Sequence, residues 1–269
     1  MIDETYDLHA WWGSRPLSVP QCAEVFRAFV NALAEFDPVF SSWLHSRPSD
    51  KPYFDVPLDP AEAARLMEKA QSRYDLPSDR LWPELGYVMG ARNSGPPQYY
   101  RRDQYAAATG LNVGCYGTDE EHRNRVEIRV SKRRIATDRP WRASELCPLM
   151  KLVNCIWQPR ELSIDCWRYG KFAARIPDKR YEPRKMKLPP GAKIFWPTGE
   201  RVLFPWVGWL TYLPADLAAK VTIPGDIEVE RLDDGGIIAT LCDEPFTIDN
   251  PVHMARARAM EAAIRPVQS

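Results

Sequence analysis

No pair of cysteines in this sequence has C-x-x-C spacing, and no pair of histidines has i, i+4 spacing. The close ligand spacings of structural and catalytic zinc sites are therefore missing. His9, His45, His122 and His253 are scattered singly, and His122 follows Cys115 by seven residues. Each is read as a surface or hydrogen-bonded residue, and no metal and no cofactor is expected. A G-x-S-x-G elbow and a phosphate-cradling glycine loop are also missing, which removes the common signatures of an α/β-hydrolase and of a P-loop nucleotide enzyme. No run of 18 apolar residues occurs, so no membrane-spanning helix is expected. The start, MIDETYD, is acidic rather than basic and then apolar, so no secretory signal is expected. The six cysteines are then read as reduced thiols in a cytoplasmic protein.

Net charge is lacking too. Thirty-six Lys and Arg balance thirty-six Asp and Glu, which argues against a bulk nucleic-acid binder. The balance hides segregation. Arg123 to Arg142 holds eight basic and two acidic residues, and Arg168 to Lys187 repeats that ratio; Ala215 to Asn250 reverses it, with nine acidic and two basic. Segregated charge steers partners even when the sum is zero.

What is present is a well-patterned α+β chain. Tyr6, Leu8, Ala10 and Trp12 alternate with Asp7, His9 and Trp11, the period of a strand, which puts Trp12 on the core face. Ser18-x-x-Gln21 reads as a capping box opening a helix with the stripe Cys22, Val25, Phe26, Phe29, Leu33 and Phe36, stopped at Asp37-Pro38. Asp59-Pro60 opens a second helix with Ala63, Leu66, Met67 and Ala70 on one side. Strands are expected over Leu85–Met89, Leu111–Tyr116, Val126–Val130, Leu162–Trp167 and Val207–Leu213. A third helix is expected over Pro148–Trp157, with Pro148 in its first turn. Ile227–Leu232 and Ile237–Cys242 flank Asp233-Asp234-Gly235-Gly236, a hairpin whose glycines supply positive φ. Asn250 caps a last helix with Pro251 at its first position, running to Ile264. Strands fall in adjacent groups, which favours a mostly antiparallel sheet flanked by helices. The whole chain, 1–269, is read as a single compact unit with an irregular proline-rich segment at about 181–205.

One constellation resembles chemistry. Asp119 followed by Glu127-Ile128-Arg129 has the layout of a metal-dependent nuclease, an acid and then a strand bearing a second acid. The residue that would serve as base is Arg129, which does not give up its proton. Simple alternation accounts for the same stretch, with Val126, Ile128 and Val130 turned inward.

Two groups of motifs carry a resemblance. At the front stand Ala10-Trp11-Trp12-Gly13-Ser14-Arg15, then Leu33-Ala34-Glu35-Phe36-Asp37-Pro38, then Trp43. At the back stand Gly235-Gly236-Ile237-Ile238, Asp243-Glu244-Pro245-Phe246, Asp249-Asn250-Pro251 and Ile264-Arg265-Pro266. In order and spacing they resemble the immunity protein 52 family, with Lys171 to Pro205 the region of least likeness. Trp12, Gly13, Trp43, Gly235, Gly236 and Pro251 are its structural landmarks here.

The resemblance implies a role rather than a reaction. Such proteins stand beside bacterial polymorphic toxins, including type VI effectors, and neutralise the cognate toxin by binding it. The implied partner is a restriction-endonuclease-like nuclease acting in the cytoplasm. No enzyme activity, no membrane and no direct nucleic-acid contact is implied. A nuclease presents a basic surface to phosphates, and an acidic patch on an inhibitor complements it. The candidate toxin-binding residues are therefore Asp226, Glu228, Glu230, Asp233, Asp234, Asp243 and Glu244, with Asp119, Glu120 and Glu121 as a second group. Trp206, Trp209 and Tyr212 are read either as aromatic anchors of the interface or as core residues. The competing functions are a metal-dependent nuclease using Asp119 and Glu127, and a non-inhibitory adaptor of a secretion system.

Overall fold

The computed structural model describes residues 5–12, 17–40, 44–45, 54–55, 59–71, 87–93, 109–115, 124–131, 133–134, 139–166 and 207–267. Its strands are β1 (Thr5–Trp12), β2 (Leu44–His45), β3 (Phe54–Asp55), β4 (Tyr87–Asn93), β5 (Thr109–Cys115), β6 (Asn124–Ser131), β7 (Arg133–Arg134), β8 (Arg139–Pro140), β9 (Glu161–Cys166), β10 (Leu210–Leu213), β11 (Glu228–Arg231) and β12 (Ile237–Thr240). Its helices are α1 (Val19–Phe36), α2 (Pro60–Gln71), α3 (Ala143–Trp157), α4 (Ala215–Ala218) and α5 (Pro251–Ile264). Ten strands form one sheet in the order β11-β12-β10-β9-β1-β6-β5-β4-β2-β3, and every pairing in it is antiparallel. The fold is α+β, as the grouping of strands predicts.

β1 lies inside the sheet, between β9 and β6. Tyr6, Leu8, Ala10 and Trp12 are 0–3% exposed, and register sets them beside Val130, Ile128 and Val126 on one side and Cys166, Ile164 and Leu162 on the other, all buried. This face continues through Leu210 and Tyr212 of β10 to Ile238 of β12. α3 packs against β9 and β10, and α1 against α3. The opposite face is covered as well. Asp7 and Asp165, directly opposed in the register, are 6% and 4% exposed, and Ser163 and Thr211 are buried beside them. Trp11 and His9 on that face are half-buried.

Local chemistry sets the helix ends. At α1 the Ser18 amide donates to Gln21 Oε1 at 2.9 Å and the Gln21 amide donates to Ser18 Oγ at 3.4 Å, the reciprocal cap the sequence predicts. Its stripe is buried at Cys22, Phe26, Phe29 and Leu33 and half-buried at Val25 and Phe36. At α2 the Glu62 amide donates to Asp59 Oδ1 at 2.9 Å, and Ala63 is 1% exposed. Leu66, Met67 and Ala70 fall on helical backbone, with their side chains outside the described residues.

α3 begins at Ala143, five residues before the expected start, so Pro148 sits inside the helix. The cap is partly local, since Glu145 Oε2 accepts from the Arg142 amide at 3.0 Å, and partly comes from far along the chain. The Ala143 amide donates to the Asp243 carbonyl at 2.9 Å and the Ser144 amide to Asp243 Oδ1 at 3.1 Å. Two of the amides that a helix N-terminus leaves unsatisfied are thereby bonded by a residue no local motif reveals.

The strand bounds shift in places. β4 runs on to Asn93, past the expected end at Met89, with Leu85 and Gly86 outside the described residues; β5 starts two residues earlier than expected, and β10 is confined to Leu210–Leu213. Just before β10 the Gly208 amide donates to Thr211 Oγ1 at 3.0 Å, and a Cβ on Gly208 would lie 2.4 Å from the Ile164 carbonyl oxygen, so the backbone approaches β9 too closely for a side chain. The 181–205 segment and positions Gly13 and Trp43 lie outside the described residues. No described helix is long and apolar enough to cross a membrane.

Candidate functional site

The acidic segment folds as the β11–β12 hairpin, the loop into α5, and α5 itself. At the hairpin tip the Leu232 amide donates to the Gly236 carbonyl at 2.9 Å and the Gly235 amide to the Leu232 carbonyl at 3.0 Å. Gly235 has φ +80°, the left-handed conformation that follows the turn in a three-residue hairpin loop. Gly236 is needed for another reason. A Cβ there would meet Tyr212 Cε2 at 2.6 Å and the Leu213 carbonyl oxygen at 3.0 Å. Positive φ, expected at both glycines, is required at only one.

Most of the candidate acids among the described residues face partners in the fold. Asp234 Oδ2 accepts from Asn154 Nδ2 at 2.7 Å and from the Tyr212 hydroxyl at 2.9 Å, and Oδ1 accepts from the Gly236 amide at 2.8 Å. Partial burial alone would raise its pKa; the bonds outweigh it and hold the carboxyl below the usual range. Glu230 pairs with Lys151 of α3 and accepts from the Cys147 thiol at 3.0 Å, which lowers its pKa. Burial and the facing glutamate push the Cys147 thiol up to about 12. Asp226 accepts from Arg256 Nε at 3.3 Å, and the same guanidinium donates to the Leu241 carbonyl at 2.9 Å. Asp243, the cap of α3, also accepts from Arg142 Nη1 at 2.6 Å. Glu244 Oε1 lies 2.9 Å from His253 Nε2. Glu228 and Asp233 are left exposed with no side-chain hydrogen bond or ion pair to any described residue. The run of acids therefore presents far less uncompensated charge than its sequence suggests. Asp119, Glu120 and Glu121 lie outside the described residues.

Two of the three aromatic candidates take the core reading. Trp209 and Tyr212 are 0% and 4% exposed and belong to the core; the Trp209 ring lies 4.8 Å from Tyr6, and its Nε1–H donates to the Cys242 carbonyl at 2.6 Å. Trp206 lies outside the described residues. Trp12 does act as a core anchor, and Pro251 stands first in α5 behind Asn250, whose Oδ1 accepts from the Val252 amide at 2.9 Å. The two exposed large apolar side chains among the described residues are Val229 and Val252.

Folding brings one isolated histidine into company. Ligand atoms of Cys242, Glu244 and His253 all lie within 4.8 Å of one another. Their hydrogen bonds oppose a metal. His253 Nδ1 accepts the Thr247 amide at 3.1 Å, so the ring proton sits on Nε2 and donates to Glu244. The Cys242 thiol donates to the Glu244 carbonyl at 3.2 Å, and burial pushes it up to about 12. A metal would need a deprotonated thiolate and a free Nε2 lone pair, and this arrangement protonates both. The trio is a clamp that fastens the 243–250 loop to α5, with Phe246 stacked on the imidazole at 5.5 Å.

Comparison with known proteins adds two findings. The architecture is similar to that of a solved structure, the Pseudomonas aeruginosa T6SS protein PA0821, with a TM-score of 0.53 and 10% identity over 97% of this chain and 73% of that one. At that identity the likeness is one of fold. The family model described as immunity protein 52 matches residues 199–266, the stretch that holds β10, β11, β12, α5 and the back half of the motifs described above. No curated protein matches the chain in sequence.

Proposed function

We propose that this chain is an immunity protein that binds a cognate bacterial toxin and blocks it. The observation that carries the proposal is the immunity protein 52 match over residues 199–266. The fold shared with a type VI secretion protein agrees with that setting. The role is binding rather than catalysis: the one Cys, Glu and His cluster among the described residues is spent on internal hydrogen bonds. The finer reading is that the toxin is a nuclease effector acting in the cytoplasm, where this chain would meet it. It is supported by the exposed carboxylates of Glu228 and Asp233, which suit a surface made to hold phosphates.

The test is to express the toxin reading frame that neighbours this gene with and without the chain. Survival with the chain, a complex on mixing the purified proteins, and loss of toxin activity in that complex are expected. Death in both cultures would remove the proposal, and a complex that leaves the toxin active would make the chain an adaptor instead. DNA or RNA cleavage by the toxin alone checks the nuclease reading.

A further inference from the structure

β11 ends the sheet, and no described strand pairs with its outer side. All four of its residues are exposed. The turn fixes which backbone groups face outward. Leu232 bonds inward to Gly236, so by the period of two Glu230 and Glu228 also bond inward, opposite Ile238 and Thr240. The N–H and C=O groups of Val229 and Arg231 therefore point away from β12. Edge strands of this kind are templates for another strand, and proteins usually blunt them.

Side chains say what the template fits. Glu228 and Glu230 share one face, Val229 and Arg231 the other. Val229 is 39% exposed, and Glu228 has no hydrogen bond or ion pair to a described residue while Glu230 is held by Lys151. A second copy of this chain is a poor occupant. Antiparallel pairing of β11 with itself over more than one residue, with faces kept continuous, sets a glutamate opposite a glutamate, which is destabilising. A strand with a basic residue opposite Glu228 and an apolar residue opposite Val229 meets neither penalty.

We propose that β11 is the edge on which the toxin docks, adding an extended basic and apolar segment of its own as a further strand of this sheet. This rests on the immunity role proposed above and names the surface it uses. Strand addition draws affinity from main-chain hydrogen bonds and specificity from alternate side chains.

The experiment uses the full chain and the catalytically inactivated product of the neighbouring toxin gene. Val229→Pro removes an outward N–H and no bond to β12, a position where an edge strand tolerates proline. It should keep its melting temperature and raise the Kd at least about tenfold. Glu228→Lys, which leaves the backbone intact, should weaken binding too. Hydrogen exchange should show the Val229 and Arg231 amides becoming protected in the complex. If wild type and Val229→Pro bind equally and those amides stay unprotected, strand addition is wrong while the immunity role stands. If wild type does not bind at all, the immunity role falls and takes this proposal with it. If the chain alone self-associates and Val229→Pro makes it monomeric, the edge belongs to a second copy and the proposal is overturned.

Discussion

Trp12 stacks on Trp157, with ring centroids 5.3 Å apart and planes inclined by 26°. Phe29 meets the same Trp157 edge-on at 5.6 Å, so one residue each from β1, α1 and α3 closes the core around a single indole. Trp11, the neighbour in sequence, is only half-buried on the other face. The two adjacent tryptophans should therefore separate by energy. Trp12→Ala should cost about 3–5 kcal/mol, the range for removing a buried aromatic side chain, and Trp11→Ala clearly less. Urea unfolding of the two variants checks this, and equal losses would contradict the division of faces.

Period-two alternation was enough to place Trp12, because β1 pairs on both sides and one face is continuously apolar. The α1 cap was legible for the same local reason, since Ser18 and Gln21 lie one turn apart. What was not legible depends on distant partners. Two amides at the start of α3 are satisfied by Asp243, which no window around Ala143 contains. The candidate site suffered likewise. A run such as Asp226, Glu228, Glu230, Asp233, Asp234 reads as free charge until Arg256, Lys151 and Asn154 are brought to it. His253 looks solitary for the same reason.

The three crowded glycines should rank by what blocks a Cβ. At Gly208 the obstacle is the Ile164 carbonyl in a central strand, so Gly208→Ala should cost about 3 kcal/mol or more. At Gly236 the closest atom belongs to the Tyr212 side chain rather than to backbone, and about 1–3 kcal/mol is expected. At Gly235 a Cβ would meet the Ala215 Cβ at 3.2 Å, and positive φ adds to that, so Gly235→Ala should cost about 1–2 kcal/mol. Thermal melts of the three variants test the order.

Acid should loosen the hairpin and the start of α3 together. Asp216 is held low by the Arg160 fork, Glu230 by Lys151, Asp243 by Ser144 and Arg142, and Glu244 by His253; at Asp234 the bonds from Asn154, Gly236 and Tyr212 overcome the effect of burial. A carboxyl whose folded pKa lies below its unfolded value contributes stability above that unfolded value, about 4 for Asp and Glu. The contribution is lost as pH falls through the lower folded value. Urea midpoints should thus be flat in this contribution above pH about 5 and decline below pH about 4. Asp234→Asn, which keeps an acceptor but removes the charge, should flatten part of that decline.

The clamp at His253 makes a spectroscopic prediction. Its ring is 2% exposed, and Nδ1 faces the Thr247 amide, a donor that admits no proton there. Nε2 then bears the hydrogen given to Glu244. In a nitrogen-15 spectrum Nδ1 should resonate as the unprotonated ring nitrogen and Nε2 as the protonated one. Stoichiometric zinc should leave both signals and the melting temperature unchanged, since binding at Nε2 would force a proton onto Nδ1 against the Thr247 amide. Zinc that raised the melting temperature in wild type and not in His253→Gln would show that the trio is a metal site after all. His253→Ala should lower stability by about 1–3 kcal/mol, because the half-buried Thr247 amide loses its acceptor.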